Sequence, residues 1–167
     1  MRLSAGPPPS TLWGGTGFTF GGGVSGEAGQ DYLTRVRALA GTPTQFNVVV
    51  LEGGQNDLRA DRSQLLRDTG QVIAAVHEAW PGAVIIVLGP CAPQPLQHVL
   101  ADTAAAIDAA ARAAGAYSVN PAARKWFTDA NSPGYDFDHT HVNSAGHAYI
   151  AQRLVQAVRT MRQISPS

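Results

Sequence analysis

The sequence predicts an α/β fold: three layers, with a mostly parallel sheet covered by helices on both faces. Two observations point there. Short β-branched runs occur at 46–51 (FNVVVL) and 83–88 (AVIIVL), and stretches with helical periodicity separate and follow them. A third observation bounds the size. At 167 residues the chain suits one domain, spanning 1–167, that buries roughly 68–70% of its unfolded surface.

Each element has its own signal. Phe18-Thr19-Phe20 before three glycines reads as a short strand. Residues 30–40 place Tyr32, Leu33, Val36 and Leu39 at spacings of three and four, a helix closed by Gly41 and Pro43. FNVVVL carries a continuous β-branched run, the pattern of a strand buried on both faces. Leu65, Leu66, Val72, Ile73, Val76 and Trp80 then keep one helical face apolar until Pro81-Gly82, and AVIIVL is a second buried strand. Residues 96–115 are alanine-rich and helix-forming, and Ala116 to Val119 is a short strand. Asn143 caps a last helix with Ile150, Leu154, Val158 and Met161 on one side. The front of the chain does not fit this rhythm. Such folds open with a buried apolar strand, whereas MRLSAGPPPS is polar and proline-rich and cannot form one. The expected fold therefore lacks its first strand.

Composition excludes several function classes. Twelve Lys and Arg balance twelve Asp and Glu, and 14% of residues are charged, so no basic field marks a nucleic-acid partner. No apolar run approaches the roughly 20 residues of a membrane span, and the N-terminus lacks the apolar middle of a signal peptide. The one cysteine, Cys91, forms no internal disulfide, and neither compartment nor oligomeric state is fixed by these features.

In open parallel sheets, ligands bind beyond the carboxyl ends of the strands. FNVVVL runs into Glu52-Gly53-Gly54-Gln55-Asn56-Asp57, where two glycines permit a tight turn and Asn56 offers an amide donor suited to an oxyanion. Asp57 can collect nearby amides and fix the turn. Plain turn chemistry explains the same Asn-Asp pair. Asp136-Phe137-Asp138-His139-Thr140-His141 is the second cluster. Asp138 and His141, three apart before a helix, can pair so that the carboxylate sets the imidazole tautomer and the other ring nitrogen serves as general base. A capping histidine is the bland alternative, and His77, His98 and His147 read as packed or solvated. A metal site with His139, His141 and Asp136 or Asp138 is a further reading, without a partner cluster elsewhere. The third feature is Gly21-Gly22-Gly23-Val24-Ser25-Gly26. It lacks the lysine of a phosphate-binding loop, but Gly26 can bring a main-chain N–H close to a substrate oxygen.

Together these residues resemble the SGNH, or GDSL-type, esterase and lipase family. GGGVSGEAGQDYLTRV looks like its second block, whose glycine falls on Gly26. GGQND looks like Gly-x-Asn-Asp, whose asparagine falls on Asn56. DHTHVNSAGHAYIAQRL looks like the fifth block, with the acid at Asp138 and the base at His141. The resemblance implies a flavodoxin-like α/β fold and a serine ester hydrolase acting on small acyl esters. It also implies Gly26 and Asn56 as oxyanion hole, and neither metal nor organic cofactor. The implied partner is a small-molecule ester substrate; nucleic acid and a membrane span are not implied.

The family's first block, Gly-Asp-Ser-x-x-x-Gly, carries the nucleophile and is missing. Gly6 matches its last glycine, so the serine's position falls on Arg2, which cannot attack an ester. The expectation is an N-terminally truncated domain, inactive as it stands and poorly stable. Ser4, two residues past that position, and Ser25, in the oxyanion loop, are the two substitutes to weigh, but no strand would aim either at His141. The alternative function is a non-catalytic binding module that recognises acylated carbohydrate or lipid on the same fold.

Overall fold

The computed structural model describes residues 15–21 and 30–164. Gly26 and Ser25, as well as Arg2, Ser4 and Gly6, lie outside them. Three parallel strands form the sheet in the order β1 (Val48–Glu52), β2 (Val84–Leu88), β3 (Tyr117–Val119). The register pairs Val48 with Val84, Val50 with Ile86, and Ile86 with Tyr117. Helices α1 (Tyr32–Ala40), α2 (Arg62–Ala79), α3 (Leu96–Val99), α4 (Ala101–Ala113), α5 (Ser132–Tyr135) and α6 (Ser144–Ile164) complete the described elements, with one 3₁₀ turn at Gln55–Asp57. The α/β class stands, with helices on both faces. None of these helices is long and apolar enough to cross a membrane.

The period-two alternation of each strand divides the core. Leu51, Ile85 and Val87 point to one side, where they meet Val36 of α1, Leu65, Val72, Ile73 and Val76 of α2, and Ile107 and Ala111 of α4. Ile86, Leu88 and Val119 point to the other, against Trp126, Phe127 and Ile150 and Ala157 of α6. Fully burying a side chain such as Ile73 contributes about 1.5–3 kcal/mol, and such positions fix which faces the helices present. The alanines of α4 serve a related end. Ala104, Ala106, Ala110 and Ala111 are buried, and their small side chains let the helix lie close to α2 and the sheet.

Local signals set the element ends. Asp31 caps α1 by accepting from the Thr34 amide at 2.8 Å. Asp61 caps α2 through the Ser63 and Gln64 amides at 2.9 and 3.1 Å. Asn143 caps α6, its Oδ1 accepting from Gly146 N at 3.0 Å. These side chains satisfy amides that the first helical turn leaves without partners.

Three expectations need correction. Phe18-Thr19-Phe20 is not a strand. Its three consecutive amides converge on the Asp57 carboxylate, whereas the amides of a strand alternate from one edge to the other. FNVVVL is not buried on both faces: Val48 is 50% and Val50 46% exposed. The reason is position. Among the described residues β1 is an edge of the sheet and α6 packs toward the β3 side, so the outer valines of β1 lie beyond its cover. Finally, the alanine-rich stretch is two helices, α3 and α4, joined at Leu100.

Candidate active site

The turn after β1 is built on two glycines with positive φ, 154° at Gly53 and 113° at Gly54. Space as well as conformation demands them. A Cβ on Gly53 would run into the Tyr32 hydroxyl, and one on Gly54 into Ile107 and Pro90. That hydroxyl donates to the Glu52 carbonyl, tying α1 to the end of β1. Burial pushes Tyr32 up to about 12, so the phenol stays a donor at any physiological pH.

Asp57 closes the turn. It is 1% exposed and accepts from the amides of Phe18 (2.9 Å), Thr19 (2.8 Å) and Phe20 (3.3 Å) and from the Thr19 hydroxyl (2.7 Å). A buried carboxylate is tolerated because these donors replace its water. Gly17 belongs to the same arrangement, since a Cβ there would strike the Asp57 carboxylate. The 15–21 loop is thereby fastened beside the turn, and it leads toward the segment that contains Gly26.

Asn56, by contrast, is exposed. Its Nδ2 donates to the Thr16 carbonyl at 2.9 Å. An amide nitrogen carries two hydrogens, so this bond orients the side chain and leaves a second N–H to give. Alongside is a groove of about 540 Å³ lined by Thr19, Phe20, Asn56, Leu58, Arg59 and Gln64, among others. A shallower depression of about 390 Å³ runs along α6 from Ala151 to Arg159, and none of the predicted site residues lines it.

The second cluster is a short reversal closed by an antiparallel bridge between Asp136 and Val142. Within it Asp138 Oδ1 accepts from His141 N at 2.7 Å and Thr140 N at 3.1 Å, while Oδ2 meets His141 Nδ1 at 2.9 Å. The imidazole hydrogen bond, reinforced by the amides of His141 and Thr140, holds the Asp138 carboxyl below the usual aspartate range. With Nδ1 turned to the carboxylate, Nε2 is the ring nitrogen left for a substrate or nucleophile. Carbon-detected NMR titration of Asp138 is expected to give a midpoint below about 3.9, the ordinary aspartate value. Because the folded value is the lower one, the pair's stabilising contribution is complete above the unfolded range and is lost as pH falls through the folded midpoint. A midpoint at or above the ordinary value would contradict the pairing.

One bond joins the two clusters. Gln55 Nε2 donates to the Thr140 carbonyl at 2.8 Å, across 85 residues of sequence. The residue before Asn56 is thus fastened to the residue before His141, and the two predicted clusters are neighbours at the carboxyl end of β1. His77, His98 and His147 are exposed, in keeping with the solvated reading. His139 and His141 each turn Nδ1 onto a separate carboxylate, Asp136 and Asp138, and no group of three or more potential metal ligands gathers among the described residues. Sequence reasoning missed Gln55, whose partner is too remote in the chain to show as a pattern. It also passed over Asp136 and His139 as a pair, although they repeat the Asp-x-x-His spacing two residues earlier.

The family model of the GDSL-like lipase/acylhydrolase family matches residues 11–149. The chain belongs to this family. It is also 33% identical over 147 residues to a protein of Mycobacterium tuberculosis (strain ATCC 25618 / H37Rv) named GDSL lipase Rv0518, a match covering 83% of this chain and 60% of that relative. The chain thus spans about 60% of the relative's length. Membership in a family of lipases and acylhydrolases supports ester hydrolysis, at that coarse level, as the chemistry to set against these residues.

Proposed function

We propose that this GDSL-type chain forms most of a serine ester hydrolase domain that cleaves small acyl esters by acyl transfer to water. Its nucleophile would come from a preceding Gly-Asp-Ser strand paired on the open edge of β1. The observation that carries the reading is the Gln55–Thr140 hydrogen bond, which sets the Asn56 turn beside the Asp138–His141 pair.

In this mechanism the serine oxygen attacks the ester carbonyl while His141 Nε2 takes its proton and passes it to the departing alcohol. Water then gives a proton to the same nitrogen and attacks the acyl-serine; as the acyl–oxygen bond breaks, Nε2 returns that proton to the serine oxygen, releasing the acid and restoring the serine. Asp138 keeps the proton of neutral His141 on Nδ1 and stabilises the imidazolium formed in each half-reaction. Gly26 N–H and the second N–H of Asn56 hold the oxygen that becomes negative in the tetrahedral intermediates.

Arg2 at the family's nucleophile position favours a second reading, a binding module that holds acylated carbohydrate or lipid without cleaving it. Turnover of p-nitrophenyl acetate separates the two. The expected result is activity only in a chain extended upstream with its genomic sequence, abolished there by His141→Ala. No turnover in either chain, together with binding of an acetylated oligosaccharide, would overturn the hydrolase reading.

A further inference from the structure

The reversal at 136–142 contains a second Asp–His unit overlapping the first. Asp136 Oδ1 accepts from His139 N at 2.7 Å, and its Oδ2 meets His139 Nδ1 at 2.7 Å. The two ends of this unit differ. The His139 side chain is 87% exposed, whereas that of Asp136 is 17% exposed. The main chain of Asp136 is held from two sides, its amide donating to the Ser132 carbonyl at 2.9 Å and its carbonyl accepting from Asn143 Nδ2 at 3.2 Å. His139 itself has a φ of 64°, the left-handed region that a side-chain-bearing residue enters at a cost. Its two bonds to Asp136 offset that cost.

We propose that Asp136 and His139 are positioning residues for the Asp138–His141 pair, an inference that rests on reading that pair as the acid–base machinery. The link is the backbone. His139 directly follows Asp138, and the left-handed turn at His139 sends the next two amides, of Thr140 and His141, back onto Asp138 Oδ1. Those two bonds aim the carboxylate so that its other oxygen meets the His141 ring. If His139 relaxes to negative φ, the two amides swing away and the carboxylate loses its aim. The anchored Asp136 carboxylate therefore acts at one remove on the tautomer of His141.

Nitrogen-15 NMR of the histidine rings in the chain as it stands tests this without any need for turnover. The expected wild-type signature is a His141 with its proton on Nδ1. Asp136→Ala and His139→Val should lose that signature while amide signals from α2, α4 and the sheet stay in place. His139→Asn should keep it, because asparagine tolerates the left-handed region and its amide can still donate to Asp136. His139 is exposed, so the His139 variants carry the test even if Asp136→Ala folds poorly. An unchanged His141 signature in Asp136→Ala and His139→Val, with Asp138→Asn abolishing it, would overturn the positioning role and leave the acid–base pair standing. A signature indifferent to Asp138→Asn would overturn the pair itself, and the positioning role with it.

Discussion

Asn56→Ala is expected to lower kcat on p-nitrophenyl acetate by about 10²–10³ in the upstream-extended chain, the range typical of removing one oxyanion donor, and to change KM far less. The selectivity for kcat follows from when the bond is made. A donor aimed at the tetrahedral oxygen strengthens as charge develops there, so its loss raises the barrier without much weakening substrate binding. Asn56 is suited to this because Thr16 already fixes one of its N–H groups at 2.9 Å, and a preoriented dipole need not reorganise during reaction. A loss spread mainly into KM, or no loss, would assign Asn56 to turn chemistry alone.

Asp57→Ala is expected to cost on the order of 3 kcal/mol of stability. The substitution removes the acceptor for three amides and one hydroxyl, and each buried donor left without a partner costs about 1–3 kcal/mol. Two of the amides and the hydroxyl lie in partly buried contacts, where water can replace part of what is lost, so the total falls below a simple sum. For a domain of this length the corresponding fall in Tm is about 6–12 °C. Urea unfolding monitored by circular dichroism measures it directly, and a cost under about 1 kcal/mol would mean that the 15–21 loop is held by something other than this carboxylate. The same substitution should reduce activity in the extended chain, because Thr16, the partner of Asn56, lies on the loop that Asp57 fastens.

Much of this architecture is written in local pattern. The helices at α1, α2 and α6 follow from apolar residues three and four apart, with Asn143 marking the start of α6, and β2 follows from an unbroken β-branched run. Where local pattern failed, a tertiary partner had overridden it. Phe18 and Phe20 have strand propensity, yet the Asp57 carboxylate, more than 35 residues away, captures their amides. The valines of β1 look like those of β2, and only the sheet order distinguishes an edge strand from a central one. The candidate site divides in the same way. Asp138 and His141 are legible because they partner each other three residues apart, and Asn56 because it follows a two-glycine turn, although its own partner, Thr16, lies 40 residues away. The Gln55–Thr140 bond and the left-handed turn at His139 are products of the folded chain and have no counterpart in periodicity or composition.

The most direct test of the central claim is a crystal structure of the upstream-extended chain trapped with an alkyl phosphonate, which mimics the tetrahedral intermediate on the serine. Expected is a phosphonyl oxygen about 2.7–3.1 Å from Asn56 Nδ2 and His141 Nε2 within about 2.6–3.2 Å of the serine oxygen. An adduct whose oxygen is held by other donors, with the His141 ring turned away from it, would contradict the account.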